Sequence, residues 1–200
     1  KSKQQGAPVA LVLQPHPQYG GTMNNRIVYE TYKSFYKNGF SVIRINFRGV
    51  ERRFSFVGSI NGIKIIDDYA HHPTEIKNTL KAARSLCKGK LIVIFEPHRY
   101  SRIIDLYDEF IGSFKEADIL FVTKIYSAGE KIIDDINEKT IVDSLQKYGH
   151  KNAKCFIDEE KMEMELYEES NDNDYIIFLG AGAISNKARN LEKAMLELVK

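Results

Sequence analysis

From residue 54 onwards, short apolar runs alternate with longer segments in which apolar residues recur every three or four positions. The runs 91–95, 119–123 and 175–179 are apolar almost throughout and have the length of a strand. A strand that is apolar on both sides must be covered on both faces, and parallel strands need a helical crossover between them. The alternation therefore predicts an α/β fold, with a mainly parallel sheet and helices on both faces.

The predicted sheet begins with a hairpin, because Asn61-Gly62 is a strong two-residue turn signal between two apolar runs. Helix and strand then alternate to the end of the sequence. In chain order, the predicted elements are strands 54–57 and 63–66, helix 74–86, strand 91–95, helix 101–114, strand 119–123, helix 140–148, strand 153–157, helix 159–168, strand 175–179 and helix 184–199.

The first 48 residues predict a separate, short β-loop-α-β unit, with strand 9–14, helix 27–37 and strand 41–47. His16, the turn Gly20-Gly21-Thr22 and Asn46-Phe47-Arg48-Gly49 resemble the opening of the α/β-hydrolase fold, in which a Gly-rich loop supplies an oxyanion-hole N–H. That fold also needs a G-x-S-x-G nucleophile elbow, and the 200 residues contain no such pentapeptide. We therefore expect an α/β-hydrolase-like fragment over residues 1–48, without its nucleophile.

Composition argues against several classes of protein. Lys and Arg number 29 against 27 Asp and Glu, with no long basic block, so neither nucleic acid nor an anionic membrane surface is an expected partner. No apolar run approaches the roughly 18 to 20 residues that cross a bilayer. Cys87 and Cys155 lie far apart, which favours free thiols and a reducing, cytoplasmic location.

Polar residues cluster where the predicted strands end. The carboxyl ends of parallel strands meet at one edge of a sheet, which is where ligands bind in open α/β folds. We expect this edge to bind phosphates and a carboxylate, because it gathers carboxylates, imidazoles, guanidinium groups and a helix start that follows glycines. Each segment also has a purely structural interpretation, such as a tight turn or a surface ion pair. The four segments are 68–71, 96–102, 124–130 and 180–182.

The sequence from Gly49 onwards resembles the C-terminal domain of the Mur ligases of peptidoglycan synthesis, and among them the type that joins L-alanine to UDP-N-acetylmuramate. The resemblance covers about three quarters of the chain. It rests on Gly49-Val50-Glu51-Arg52-Arg53-Phe54, Asp67-Asp68-Tyr69-Ala70-His71-His72-Pro73-Thr74-Glu75, Pro97-His98-Arg99-Tyr100-Ser101-Arg102, Ala128-Gly129-Glu130-Lys131 and Gly180-Ala181-Gly182.

This resemblance implies a Rossmann-like domain over residues 49–200 that closes over an ATP site on a central domain. The intact enzyme would use ATP and Mg²⁺ to form an acyl phosphate on UDP-N-acetylmuramate, which the amine of L-alanine attacks. Transferred to this sequence, the family's ATP-binding residues are Arg53 and Asp68, and its amino-acid side is Tyr69, His71, His98 and Arg102. Arg102 would bind the alanine carboxylate. We expect Asp68, Tyr69, His71, His98 and Arg102 to face one open cleft.

The sequence also departs from the family. The 200 residues contain no G-x-x-x-x-G-K-[ST] phosphate loop, and we predict neither a complete catalytic set nor a metal site in this chain. The missing central and N-terminal ligase portion could be encoded separately, and the chain could be a fusion of two gene fragments or a remnant. Two alternatives stay open: an α/β-hydrolase fragment, and a non-catalytic module that binds a nucleotide.

Overall fold

The computed structural model describes residues 8–13, 26–45, 52–156 and 158–198, and the chain divides into two compact units, 1–51 and 52–200. The predicted boundary at 48/49 falls in the stretch 46–51, which lies outside the described residues. His16, Gly20-Gly21-Thr22 and the motif at 46–49 also lie outside them. The hydrolase-like character of the first unit therefore stays a prediction.

The first unit contains the predicted β-loop-α-β arrangement. Strand β1 (Val9–Leu13) and strand β2 (Ser41–Ile45) pair in parallel over their full lengths, and helix α1 (Arg26–Lys37) precedes β2. A small apolar core holds them together: Ala10 and Val42 are buried and contact Tyr32, Tyr36 and Phe40.

The second unit is a six-stranded sheet covered by helices. All neighbouring strands are parallel except the first pair, which forms the predicted hairpin through Asn61 and Gly62 at positive φ. In chain order, its elements are β3 (Ser55–Ile60), β4 (Ile63–Asp68), α2 (Pro73–Leu86), β5 (Leu91–Phe95), α3 (Tyr100–Asp105), α4 (Tyr107–Ile111), β6 (Ile119–Val122), α5 (Glu138–Lys147), β7 (Ala153–Lys154), a 3-10 turn (Glu159–Lys161), α6 (Met162–Glu169), β8 (Tyr175–Leu179) and α7 (Ile184–Leu198).

The strand order is β3-β4-β8-β5-β6-β7, so the strand that comes last in the sequence lies near the middle of the sheet. Every residue of β5 and β8 is buried, and alternate side chains enter two different apolar cores. Helices α2 to α5 contribute to one core and α6 and α7 to the other. The prediction of helices on both faces is confirmed, and burial on both faces explains why these strands read as continuous apolar runs.

Three predicted elements differ in the structure, and one of them, the helix predicted at 159–168, starts as the 3-10 turn and becomes α-helical only at Met162. The single helix predicted at 101–114 is wrong, because the backbone leaves the helical region at Leu106 (φ −121°, ψ 25°) and restarts as α4. The break allows Phe110 to pack into the core and the Tyr107 hydroxyl to donate to Ser144 Oγ of α5 at 2.8 Å. The strand predicted at 153–157 pairs over only two residues, after which Phe156 turns inward and stacks on Phe121.

Candidate functional site

Three central strands end at the same level, and this alignment builds the site. Asp68 of β4 and Phe95 of β5 lie opposite the same residue of β8, Leu179. The loop after β6 joins them, because His98 and Tyr126 form an isolated parallel bridge. The four polar segments therefore lie on one edge of the sheet, as the sequence predicted. The strands carrying the first two segments are parallel but not adjacent, since β8 lies between them.

Asp68 lies inside this edge and not in an open cleft, so that expectation is wrong. Its side chain is fully buried, accepts hydrogen bonds from the backbone N–H of Phe54 and of Ala70 at 2.7 Å each, and has the Thr79 hydroxyl at 3.4 Å. A buried carboxylate is stable only with such donors. Asp68 thus ties the start of β3 to the end of β4 and to helix α2.

A second buried carboxylate, Asp67, has a role that the sequence reasoning missed. Arg52 Nε donates to Asp67 Oδ2 at 3.2 Å, and Ser185 Oγ donates to the same oxygen at 2.6 Å. Arg52 also donates from Nη2 to the backbone oxygen of Gly180 at 2.5 Å. These bonds join the start of the unit to β4, to the end of β8 and to α7. Adjacent acids at the end of an apolar strand were the available signal.

Glu96, the third buried carboxylate, occupies the glycine turn before α7. Its Oε1 accepts from the Gly182 N–H at 2.9 Å, and burial raises the pKa of the Glu96 carboxyl above its usual value. A Cβ built on Gly182 would lie 2.5 Å from that oxygen, which explains the glycine. The turn was expected to suit a phosphate, but here a carboxylate of the same chain already uses the Gly182 donor.

Outside the acids, four aromatic rings follow one another along the edge: Tyr69, His71, His98 and Tyr126, here called the ring ladder. The centroid distances are 5.0 Å from Tyr69 to His71, 5.5 Å from His71 to His98 and 5.4 Å from His98 to Tyr126. The last pair is stacked, with planes 19° apart. Three of the rings belong to predicted site residues. Tyr126 was not among them, although its segment was.

The two imidazoles of the ladder have lowered pKa values. For His71, burial is the main cause, and the Arg102 and Arg53 guanidinium groups lower its pKa further. For His98, burial again comes first, followed by His71 and Arg102. Desolvation and neighbouring positive charge both disfavour the imidazolium form and therefore favour the neutral form of both rings.

Arg102 lies half-buried beside the ladder, with Nη1 3.2 Å from His98 Nδ1. Within residues 52–156 and 158–198, Arg102 forms no ion pair with an acidic side chain. It therefore differs from Arg53, whose Nη1 donates to Glu75 Oε1 at 3.2 Å. The Arg53 guanidinium carbon also lies 5.6 Å from the centre of the Tyr69 ring, a cation–π distance.

The loop that carries Tyr126 is fixed to the segment that carries His98. The Tyr126 N–H donates to the Pro97 oxygen at 2.8 Å, and the Arg99 N–H donates to the Tyr126 oxygen at 2.9 Å. Further along, Glu130 accepts from the Ser101 hydroxyl at 2.6 Å and from its N–H at 3.1 Å. The ladder therefore rests on backbone pairing as well as on ring contacts.

The described residues contain neither a metal-binding cluster nor a membrane-spanning helix. No three His, Cys, Asp or Glu side chains in those parts of the chain are grouped so as to hold a metal ion. None of the helices there is both long and apolar enough to cross a membrane.

Comparison with known proteins explains this arrangement. The family described as "Mur ligase, glutamate ligase domain" matches residues 52–182, which is more than half of the chain and contains every site residue named above except Ser185. The chain belongs to the Mur ligase family. The match covers the sheet edge and the whole ring ladder, so the predicted family resemblance is confirmed.

The relatives are much longer than this chain. The UDP-N-acetylmuramate–L-alanine ligase of Jannaschia sp. (strain CCS1) is 42% identical over 154 residues, covering 77% of this chain and 32% of the relative. The ligase of the same name from Paracoccus denitrificans (strain Pd 1222) is 44% identical over 151 residues, covering 76% and 32%. The chain therefore corresponds to the C-terminal domain and spans about a third of the relatives' length.

A solved structure agrees with this assignment. The crystal structure of UDP-N-acetylmuramate–alanine ligase from Thermotoga maritima superposes with a TM-score of 0.59 at 32% identity, covering 77% of this chain and 32% of that chain. The fold of the second unit is thus that of a Mur ligase C-terminal domain.

Proposed function

We propose that this chain is the amino-acid-side, ATP-closing domain of an ATP-dependent UDP-N-acetylmuramate:L-alanine ligase of peptidoglycan synthesis, incomplete on its own. The observation that carries the proposal is Arg102: a half-buried guanidinium at the carboxyl edge of the sheet, paired with an imidazole and, within the described residues, with no acid. An anionic ligand supplies the missing partner, and the carboxylate of an amino acid fits a planar cation.

The amino-acid side consists of Tyr69, His71, His98 and Arg102. Arg102 binds the carboxylate of L-alanine, and the two imidazoles lie beside it. The Tyr69 ring lies edge-on to His71 and closes that end of the surface. At the His98 end of the ladder, Arg102 is the cation that a carboxylate can meet, and this charge directs the ligand.

On the ATP side, Arg53 and Asp68 act differently from each other. Arg53 is a partly buried cation whose fork can donate to nucleotide oxygens when Glu75 is displaced. Asp68, being buried, acts indirectly: it holds the N–H of Phe54 and so fixes the residue next to Arg53. ATP supplies the phosphoryl group that activates the carboxylate of UDP-N-acetylmuramate. A central and N-terminal ligase portion, encoded with this chain or separately, would hold the phosphates and Mg²⁺.

Reconstitution tests the proposal. The full chain is mixed with the Paracoccus denitrificans ligase truncated before its own C-terminal domain, and phosphate release is measured. We expect release that needs both proteins, ATP, UDP-N-acetylmuramate and L-alanine, and none from this chain alone. Arg102→Gln should abolish it. Lys115→Gln, which removes an exposed cation from a part of the unit outside the site, should not. Release that Arg102→Gln leaves unchanged would refute the assignment.

A further inference from the structure

The sheet of the first unit consists of two strands, β1 and β2, and each of them has an outer edge. The two strands are parallel, and among the described strands no third one pairs with either. Parallel strands occur almost only inside larger sheets that are covered by other elements. An outer edge of this small sheet is therefore a place where a further strand can add.

The first hydrogen bond between the two strands shows which backbone groups of β1 face outward. The Ser41 N–H donates to the backbone oxygen of Pro8 at 2.8 Å, so the Pro8 oxygen faces β2. Backbone groups of successive residues in a strand point to opposite sides, so the even-numbered residues of β1 also face β2. Val9, Leu11 and Leu13 consequently direct their N–H and C=O groups to the outer edge.

This outer edge has none of the features that usually protect an edge strand. The strand Val9–Leu13 contains no charged residue and no proline, and its pairing with β2 runs without a bulge. Natural proteins use charges, prolines and bulges to prevent an edge from pairing with another chain. Val9, at the start of the strand, is 63% exposed. The outer edge of β1 is therefore open to pairing.

The other sheet edges of the described residues each carry such a feature. Strand β2 contains the charged residue Arg44. Strand β3 has a bulge between Phe56 and Gly58, and β7 is only two residues long. Bulges, charges and short length all disfavour edge-to-edge association. Among the described strands, β1 is thus the edge strand on which a new contact can form.

We propose that β1 pairs in antiparallel orientation with β1 of a second copy of this chain, so that the first unit is a dimerisation module. A two-fold axis through the contact places Leu11 opposite its own copy and Val9 opposite Leu13. These three residues face the outer edge, so each opposed pair exchanges both of its N–H···O bonds. The two small sheets then form one four-stranded sheet in the order β2-β1-β1-β2.

The strand suits its own copy better than a different partner. A two-fold axis brings the residues of a strand against the same set of residues, so any charge in the strand would face a like charge across the contact. All five residues of β1 are apolar, and no such repulsion arises. An edge that recognises a partner of different sequence is expected to carry complementary charges, and β1 carries none.

This contact is independent of the proposed function. β1 lies outside residues 52–182, which are the residues that the Mur ligase family matches. The second unit takes no part in the pairing of β1. A failure of the dimer would therefore leave the proposed ligase assignment unchanged, and a failure of the ligase assignment would leave the dimer unchanged.

The first test uses the alternation of backbone groups along β1. Amide hydrogen exchange of the full chain is followed by NMR at high protein concentration and after dilution. Dilution should speed the exchange of Leu11 and Leu13 by about tenfold or more, whereas Ala10 and Val12, whose N–H groups face β2, should change little. Fast exchange of Leu11 and Leu13 at every concentration would overturn the proposal. Protection that persists in a monomer would also overturn it, because the edge would then be covered within one chain.

The second test measures mass by light scattering, which should give twice the 23.0 kDa of one chain. Leu11→Pro removes an N–H from the outer edge and leaves the bonds to β2 in place, so this variant should be monomeric. Leu11→Val is the matched control, since it keeps the N–H and an apolar side chain, and it should remain dimeric. A dimeric Leu11→Pro variant would place the contact elsewhere and overturn the proposal. If Leu11→Pro unfolds the first unit, the exchange experiment on the unchanged chain decides.

Discussion

The sheet edge has two halves that use charged side chains in opposite ways. In the acidic half, Asp67, Asp68 and Glu96 are almost fully buried and accept bonds from the same chain. In the ring ladder, His71 and His98 are half-buried, and each leaves one nitrogen without a described partner. Both halves carry family motifs, so a motif residue can belong to either.

The buried acids hold the sheet edge together, whereas the half-buried histidines are accessible to a ligand. A carboxylate whose partners are backbone N–H groups and hydroxyls of its own chain has little capacity left for substrate. An imidazole held at one nitrogen and open at the other is oriented and still available. We therefore expect the acidic half to determine stability, and we place the proposed ligand binding on the ring ladder.

The largest expected effect on stability comes from Asp68→Ala. It leaves the N–H groups of Phe54 and Ala70 without their acceptor in a buried site. Each lost acceptor costs about 1 to 3 kcal/mol, so the free energy of unfolding of the second unit should fall by about 3 kcal/mol. Urea denaturation followed by circular dichroism measures this. A loss below about 0.5 kcal/mol would show that the buried carboxylate does not hold the edge.

Arg52→Gln should have the next largest effect. It removes the cation from Asp67, whose side chain is only 1% exposed, and the donor from the Gly180 oxygen. Because Arg52 keeps 15% exposure and Ser185 still donates to Asp67, we expect a loss of about 2 kcal/mol, below that for a fully buried pair. Chemical denaturation detects it, with Lys115→Gln as the charge control. Unchanged stability would show that the Arg52–Asp67 pair does not hold the sheet edge together.

The two halves should respond to pH in opposite directions. Burial lowers the pKa values of His71 and His98, so the unfolded chain binds their protons first and stability falls as pH drops below about 6.5. The pKa of Glu96 is raised, so its contribution is present in acid and is lost as pH rises above about 4.5.

Thermal unfolding scans from pH 7 to pH 4.5 distinguish these contributions. His71→Gln with His98→Gln should flatten the loss of stability on acidification. Glu96→Gln should instead remove the gain and steepen that loss. Identical pH profiles for the three proteins would contradict the opposite assignments.

The smallest effect on stability is expected for Arg102→Gln. Its contacts with described residues are those with His98, on a half-buried surface, so the free energy of unfolding should change by about 0.5 kcal/mol or less. Its effect on ligation should be large, with the phosphate release of the reconstituted mixture lost. A variant that unfolds as readily as Asp68→Ala would place Arg102 among the structural residues.

Much of the fold could be predicted from the sequence, because burial on both faces leaves an unmistakable pattern. The segments Leu91–Phe95 and Tyr175–Leu179 are apolar throughout, which predicts buried strands. Asn61-Gly62 predicts a two-residue hairpin turn, because both residues readily adopt the positive φ that this turn requires. The break at Leu106 could not be predicted, because no Gly or Pro marks it and it depends on contacts with α5. Tertiary contacts override a helical pattern of this kind.

The residue types of the candidate site could be predicted from the sequence, but which of them are buried and structural and which are accessible could not. The ladder residues Tyr69, His71 and His98 were recognised by motif, and their meeting at one edge followed from strand polarity. Asp68 is buried because the N–H groups of Phe54 and Ala70 and the Thr79 hydroxyl donate to it, and two of these donors lie more than ten residues away in the sequence. Tyr126 reaches the ladder because its loop pairs with the segment of His98. Neither leaves a local signature.

The position of β8 has a consequence for how the protein folds. β4 and β5 both pair with β8 and not with each other, so without β8 the two pieces β3-β4 and β5-β6-β7 cannot join into one sheet. His71 belongs to one piece and His98 to the other. The surface that His71 and His98 form together is therefore completed only when β8 pairs with both pieces, which is a long-range step of folding.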